Sequence, residues 1–179
     1  MKGIYRTRVG YTGGSLENPT YHNLGEHTEA FQIDYDPGQI SYEDILEIFW
    51  DSHNPTGRAL LRQYMPAVFT HNQEQLDAAL KSKAVLEEKL NSEINTPVVM
   101  LDVFYLAEDY HQKYYLQNNR ELLAEMEAYY PELDDFINST AVARLNGIVG
   151  GYANDLLIKE ELDSYGLSDQ GLSVLQRYR

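Results

Sequence analysis

Thr28-Glu29-Ala30-Phe31-Gln32-Ile33-Asp34-Tyr35 runs into Asp36-Pro37-Gly38 and then into Ser41 to His53, SYEDILEIFWDSH. In TEAFQIDY, Ala30, Gln32 and Asp34 fall opposite Phe31, Ile33 and Tyr35, and this period of two predicts a strand. Asp-Pro-Gly is a turn, because proline presets one backbone angle and glycine admits the other. Ser41 then opens a helix. Asp44, three residues on, makes a variant capping box with Asp in place of the usual Glu or Gln. Tyr42, Ile45, Leu46 and Phe49 share one helical face, and Asn54-Pro55-Thr56-Gly57 ends the helix. A strand, a turn and an amphipathic helix in this order require a fold that mixes both element types.

Working outward, Ile4 to Tyr11 (IYRTRVGY) predicts a strand ending in the turn Thr12-Gly13-Gly14. Residues 15–24 read as polar loop with one helical turn after Pro19. Gln63 to Thr70 (QYMPAVFT) reads as a strand, with Pro66 placing it at an edge or bulge. Gln73 to Leu90 is an amphipathic helix with Leu76, Ala79, Leu80, Leu86 and Leu90 in one stripe. Pro97 to Tyr105 (PVVMLDVFY) is a strand. Helices are expected near 108–118, 119–129 and 132–148, with Pro131 separating the last two. The end of the chain, from Gly150-Gly151, forms a short helix or a loose tail. The fold class is α+β, or a two-layer α/β sandwich with a mixed sheet.

The chain has 179 residues, a length that suits one domain. It carries 14 Lys and Arg against 28 Asp and Glu, a net charge of −14. Phosphate binding needs basic surface, so no nucleic-acid partner is expected, and anionic membrane surfaces are disfavoured. Apolar runs fall short of a membrane span, and the start lacks a hydrophobic signal core, so a cytoplasmic location is the default expectation. With no cysteine, these residues supply neither a disulfide, nor a thiolate metal ligand, nor a cysteine nucleophile. His27, His53 and His111 lack the close spacing with a carboxylate that a metal site needs, so no metal is expected. His53 reads as a capping or turn residue.

Several short segments, in order, resemble one family. They are Arg8-Val9-Gly10-Tyr11-Thr12-Gly13-Gly14, Asn18-Pro19-Thr20-Tyr21, His27-Thr28-Glu29-Ala30, Asp36-Pro37 with Ile40-Ser41-Tyr42-Glu43, Phe49-Trp50 through Pro55-Thr56, Gln63-Tyr64, and Phe104-Tyr105 through His111-Gln112. Together they resemble the A-type peptide methionine sulfoxide reductases over residues 3–118. The resemblance implies a ferredoxin-like two-layer sandwich over 1–118, with 119–179 as a helical extension packed on the same domain. It implies reduction of methionine-S-sulfoxide in proteins and in free methionine, without a cofactor, with thioredoxin or another thiol as electron donor. In that chemistry a nucleophile attacks the substrate sulfur and the oxygen is protonated as it leaves.

By resemblance, Glu29 is the acid, expected in a partly apolar pocket where it could hold a proton. Tyr21 and Tyr64 are the hydroxyl donors to the sulfoxide oxygen. Taken alone, Glu29 is one of 28 acids and the tyrosines are two of 15, so only the resemblance singles them out. The chain also departs from the family pattern. Ala59 stands where the family has a pocket Asp, and the run Gly57-Arg58-Ala59-Leu60-Leu61-Arg62 is unlike the usual one. Arg58 and Arg62 therefore become candidates to bind the oxygen or to anchor an acidic peptide. The family's opening strand and helix, with the Gly-Cys-Phe-Trp nucleophile segment, have no match. Three readings account for this: a selenocysteine enzyme whose start was misplaced, a non-catalytic module or subunit that binds oxidised methionine, and an ordinary cysteine enzyme given without its start. Little turnover is expected of these residues alone. The missing strand would expose sheet backbone and apolar surface, which a homodimer or the C-terminal tail would cover.

Overall fold

The computed structural model describes residues 2–152 and 161–178. The element order mixes strands and helices as the α+β class requires. It runs β1 (Ile4–Thr12), β2 (Thr28–Tyr35), α1 (Tyr42–Asp51), β3 (Val68–Thr70), α2 (Gln73–Leu90), β4 (Val98–Met100), β5 (Tyr105–Leu106), α3 (Tyr114–Gln117), α4 (Arg120–Tyr129), α5 (Leu133–Asn138), α6 (Thr140–Val149) and α7 (Asp169–Leu175). The strands form a three-stranded sheet of order β2-β1-β5 and a separate two-stranded sheet, β3-β4, rather than one mixed sheet. The chain divides into two compact units. The first comprises residues 1–9, 32–35 and 108–179, so residues 119–179 fall wholly within it. The second comprises residues 10–31 and 36–107.

In the second unit, local sequence sets most boundaries. The Ser41 hydroxyl accepts the Asp44 amide at 3.1 Å, and the Asp44 carboxylate accepts the Ser41 amide at 3.0 Å, which completes the expected capping box. The Ser41 hydroxyl also donates to the Asp44 carboxylate at 2.6 Å, and this bond first, then the one from the Ser41 amide, holds the Asp44 carboxyl below its ordinary value. The buried face of α1 is Leu46 and Trp50, with Tyr42 and Phe49 partly buried beside them. The Trp50 indole donates to Ser82 Oγ at 3.0 Å, which ties α1 to α2 beside the fully buried Ala79. Only part of the expected α2 stripe is buried: Ala79 and Leu86 meet the core, while Leu80 and Leu90 stay exposed. β3 and β4 pair in parallel, with Val68 opposite Val98, and α2 supplies the crossover that a parallel pair needs.

Two predicted strands are shorter than expected. In 63–70 only Val68–Thr70 is strand, while Arg62–Tyr64 curls into a 3-10 turn. Pro66 lacks the amide that a ladder requires, so pairing starts after it. The stretch 97–105 breaks in two: Val98–Met100 pairs with β3, and Tyr105 pairs antiparallel with Tyr11 of β1. The expected helical turn after Pro19 is instead a tight hairpin in which Thr20 and Asn23 exchange backbone hydrogen bonds.

In the first unit, predicted helices are interrupted where side chains are needed elsewhere. The 108–118 stretch breaks at Lys113, whose φ of 51° lies in the left-handed region. Buried Gln112 donates its amide to the Val9 carbonyl at 2.9 Å and accepts the Val9 amide at 3.1 Å, so a side chain takes the place of a neighbouring strand. The Lys113 ammonium donates to the Thr7 carbonyl and, at 2.7 Å, to the Ile137 carbonyl. Burial, reinforced by the nearby Arg8 charge, lowers its pKa to about 8. The 132–148 stretch breaks at Ser139, which ends α5 and caps α6 by accepting the Val142 amide at 3.3 Å. The core of this unit gathers Leu116, Leu122, Met126, Val142, Leu145 and Leu175, all fully buried. The end of the chain includes helix α7, and part of the expected tail, residues 153–160, lies outside the described residues.

Candidate active site

Tyr21, Glu29, Arg58, Arg62 and Tyr64 all lie in the second unit. β2 begins at buried Thr28, and strand alternation turns Thr28 inward and Glu29 outward. The residue before it, His27, is buried and fixes this start. Its Nδ1 accepts the Gly14 amide at 3.2 Å, and its Nε2–H donates to the Leu16 carbonyl at 2.8 Å. Its ring also meets Tyr105 edge to face. The Gly13-Gly14 turn is required to be glycine. Gly13 has φ of 81°, and a Cβ on Gly14 would lie 2.6 Å from the His27 nitrogen.

The 3-10 turn that carries Tyr64 is anchored at two points. The Thr28 hydroxyl donates to the Arg62 carbonyl at 3.0 Å, and the Arg62 guanidinium donates to the Gly13 carbonyl at 2.7 Å. Arg62 is thus engaged with the glycine turn, and Arg58 and Arg62 are both exposed. Gln63 donates its side-chain amide to Glu29 Oε1 at 2.6 Å. The Tyr21 and Tyr64 hydroxyls lie 3.5 Å apart, longer than a strong hydroxyl pair, so both point toward one small space. Hydrogen bonding with Tyr21 first, then desolvation and the charges of Tyr21 and Glu29, raises the Tyr64 phenol above its ordinary value. Tyr64 therefore remains a proton donor at neutral pH.

The expected apolar enclosure of Glu29 is not found, since the residue is exposed. Gln63 stands out in the sequence only as half of the Gln63-Tyr64 pair, and its contact with Glu29 spans 34 positions. The histidines have structural partners. His53 Nδ1 is 2.9 Å from the Phe49 carbonyl and Nε2 is 2.9 Å from Thr96 Oγ1, consistent with a residue that closes the end of α1. Among the described residues no group of three or more His, Cys, Asp or Glu is placed to hold a metal ion, and no helix is long and apolar enough to cross a membrane.

Comparisons with known proteins place this geometry in context. The family model for peptide methionine sulfoxide reductase matches residues 1–143, well past the motifs that end near 118. A peptide methionine sulfoxide reductase of Drosophila melanogaster is 37% identical over 169 residues, covering 93% of this chain and 68% of its own length. Peptide methionine sulfoxide reductase MsrA of Methanosarcina acetivorans is 41% identical over 126 residues, covering 64% of this chain and 67% of its own. Among solved structures, reduced Mxr1 from Saccharomyces cerevisiae superimposes with a TM-score of 0.61 at 26% identity, covering 66% of this chain and 74% of that one. Methionine sulfoxide reductase A of Corynebacterium diphtheriae gives a TM-score of 0.55 at 28% identity, covering 66% of each chain. With four-fifths of its length matched by the family model, the chain belongs to the peptide methionine sulfoxide reductase family.

Proposed function

We propose that this chain serves the oxidoreductase reaction of its family, reduction of methionine sulfoxide to methionine, and that the sulfoxide oxygen sits at Tyr21, Tyr64 and Glu29. The convergence of the two tyrosine hydroxyls, 3.5 Å apart, with Tyr64 on the turn that also brings Gln63 to Glu29, supports this reading. A sulfoxide oxygen carries partial negative charge and accepts hydrogen bonds. Two phenols aimed at one space are suited to hold it, and their preset positions avoid reorganisation during reaction. Glu29 is the group proposed to deliver a proton to the oxygen, with Gln63 fixing the carboxyl's direction.

Oxygen transfer also needs an electron pair directed at the substrate sulfur. None of the 179 residues is a cysteine, so these residues supply the proton and the hydrogen bonds but no thiolate. The reaction then requires a thiol or selenol that attacks the substrate sulfur and ends carrying the oxygen as a sulfenic or selenenic acid. A second thiol releases that oxygen as water, and thioredoxin or a similar dithiol of a reducing compartment such as the cytoplasm restores the enzyme. The S-sulfoxide, in peptides or as free methionine, is the proposed substrate. The absence of cysteine favours a second reading, a module that binds oxidised methionine without turning it over.

Binding and turnover are separable by experiment. The 179-residue chain is titrated with a peptide containing methionine-S-sulfoxide and with the same peptide reduced, then incubated with the sulfoxide peptide and excess dithiothreitol while formation of the reduced peptide is followed. Preferential binding of the sulfoxide with no turnover is expected. Equal binding of both peptides would overturn the sulfoxide site, and turnover above the dithiothreitol control would overturn the need for an added nucleophile.

A further inference from the structure

Three consecutive residues carry the contacts that gather the candidate site. The Tyr64 hydroxyl lies 3.5 Å from that of Tyr21, and Gln63 donates to Glu29 Oε1 at 2.6 Å. Arg62 reaches two further segments. Its carbonyl accepts the Thr28 hydroxyl at 3.0 Å, and its guanidinium donates to the Gly13 carbonyl at 2.7 Å. All of these residues belong to the second unit.

The turn Arg62–Tyr64 does not hold itself in place. It is a single 3-10 turn, with the Tyr64 amide donating to the Leu61 carbonyl at 3.2 Å and the Met65 amide to the Arg62 carbonyl at 3.1 Å. No side chain caps its start. A lone turn fixes several backbone angles for each hydrogen bond it forms, so its position has to come from contacts outside it. Among those contacts, Gln63 with Glu29 joins two long side chains, and the Tyr21–Tyr64 distance is too great for a strong bond. The two contacts of Arg62 end on firmer ground. Thr28 is buried at the start of β2, and Gly13 belongs to the glycine turn that His27 holds through Gly14. Arg62 therefore ties the turn to both at once, although its side chain is exposed.

We propose that Arg62 is a positioning residue for sulfoxide recognition: by clamping its turn to Gly13 and Thr28 it sets where the Tyr64 phenol and the Gln63 amide stand, without itself touching the substrate. This rests on the reading of Tyr21, Glu29 and Tyr64 as the sulfoxide site. A displaced phenol loses its hydrogen bond to the oxygen, while the remaining contacts of a bound peptide persist. Loss of Arg62 therefore falls on the oxidised peptide and spares the reduced one.

The test is isothermal titration with an end-blocked peptide free of charged residues, carrying either methionine-S-sulfoxide or methionine. The neutral peptide removes general attraction to a guanidinium. Arg62→Ala is expected to bind the sulfoxide peptide roughly threefold more weakly than the parent, the value of one neutral hydrogen bond, and the reduced peptide unchanged. Arg62→Lys, which keeps a donor, should recover most of that loss, and Arg62→Met, which keeps only the stem, should recover none. In a Gln63→Ala/Tyr64→Phe background the groups to be positioned are gone, so adding Arg62→Ala should change nothing, because residues that act through one another are not additive. A further threefold loss in that background would make Arg62 a direct ligand and overturn the proposal. Equal loss for both peptides, or no loss at all, would also overturn it, and a sulfoxide preference in the parent would leave the sulfoxide site standing. If the parent binds both peptides alike, the sulfoxide reading fails and takes the role of Arg62 with it. The melting temperature of Arg62→Ala should stay within about 2 °C of the parent, since the side chain is exposed. A larger fall would assign Arg62 to the fold rather than to the site and overturn the proposal.

Discussion

The two units treat their apolar residues differently. The helical unit encloses Leu116, Leu122, Met126, Val142, Leu145 and Leu175 completely, and Phe136, Ile137, Ile148 and Val174 nearly so. The unit that carries the site has a smaller core of Leu46, Trp50, Val68, Ala79 and Ile94, and leaves Phe31, Leu60, Leu61, Val99, Met100 and Leu106 exposed. Burying a leucine or valine side chain contributes about 1.5–3 kcal/mol, so the first unit draws more stability from its apolar residues. The second keeps apolar surface and polar groups accessible together, which a substrate-binding surface needs and a core does not.

This contrast can be broken by substitution, and the largest effect belongs to the helical core. Leu145→Ala should cost about 2–5 kcal/mol in urea unfolding, since a cavity replaces a fully enclosed side chain. A loss below 1 kcal/mol would show that the helical core is looser than its burial implies. Next comes Lys113. Its folded pKa of about 8 lies below the ordinary 10.5, so the unfolded chain binds more protons between those values. The destabilisation is full below pH 8 and is relieved as pH rises toward 10.5. Relative to Lys113→Met, the parent should therefore gain about 2 kcal/mol between pH 8 and 10, a figure that follows from the linkage slope. A flat difference across that range would remove the buried cation from the account.

In the site-bearing unit the expected effects are smaller, and the largest of them falls on binding. Tyr21→Phe/Tyr64→Phe should weaken binding of a methionine sulfoxide peptide about tenfold by isothermal titration, the value of two neutral hydrogen bonds. Ser41→Ala should lower stability by about 1 kcal/mol through loss of the α1 cap. The Asp44 part of that cap is present above pH 3.8 and fades as acid protonates the carboxyl through its lowered folded value. Smallest of all, Leu60→Ala should change stability by less than about 0.5 kcal/mol, because nothing packs on that side chain.

Much of this was legible without a structure, and the reason is distance along the chain. The period of two in 28–35 and the Ser41–Asp44 box depend on neighbours only a few residues away, and both elements appear where expected. The break at Lys113 could not be read, because Gln112 finds its partner Val9 at a separation of 103 positions. The site shows the same division. Tyr21, Glu29 and Tyr64 come from separate segments with no local signal, so resemblance to a family had to point to them. The Gln63–Glu29 contact and the Arg62–Gly13 link, at separations of 34 and 49 positions, leave no local signal either.

By itself, then, the sequence determined the helices and strands with strong local patterns, the acidic charge, the absence of a thiol and the family. Only the tertiary structure decided that Glu29 is exposed rather than enclosed, that Arg62 secures a turn, and that Leu60 and Leu61 stand in solvent. Exposure and hydrogen-bond partnership depend on which distant segments come together, and a residue's type and its near neighbours do not specify that.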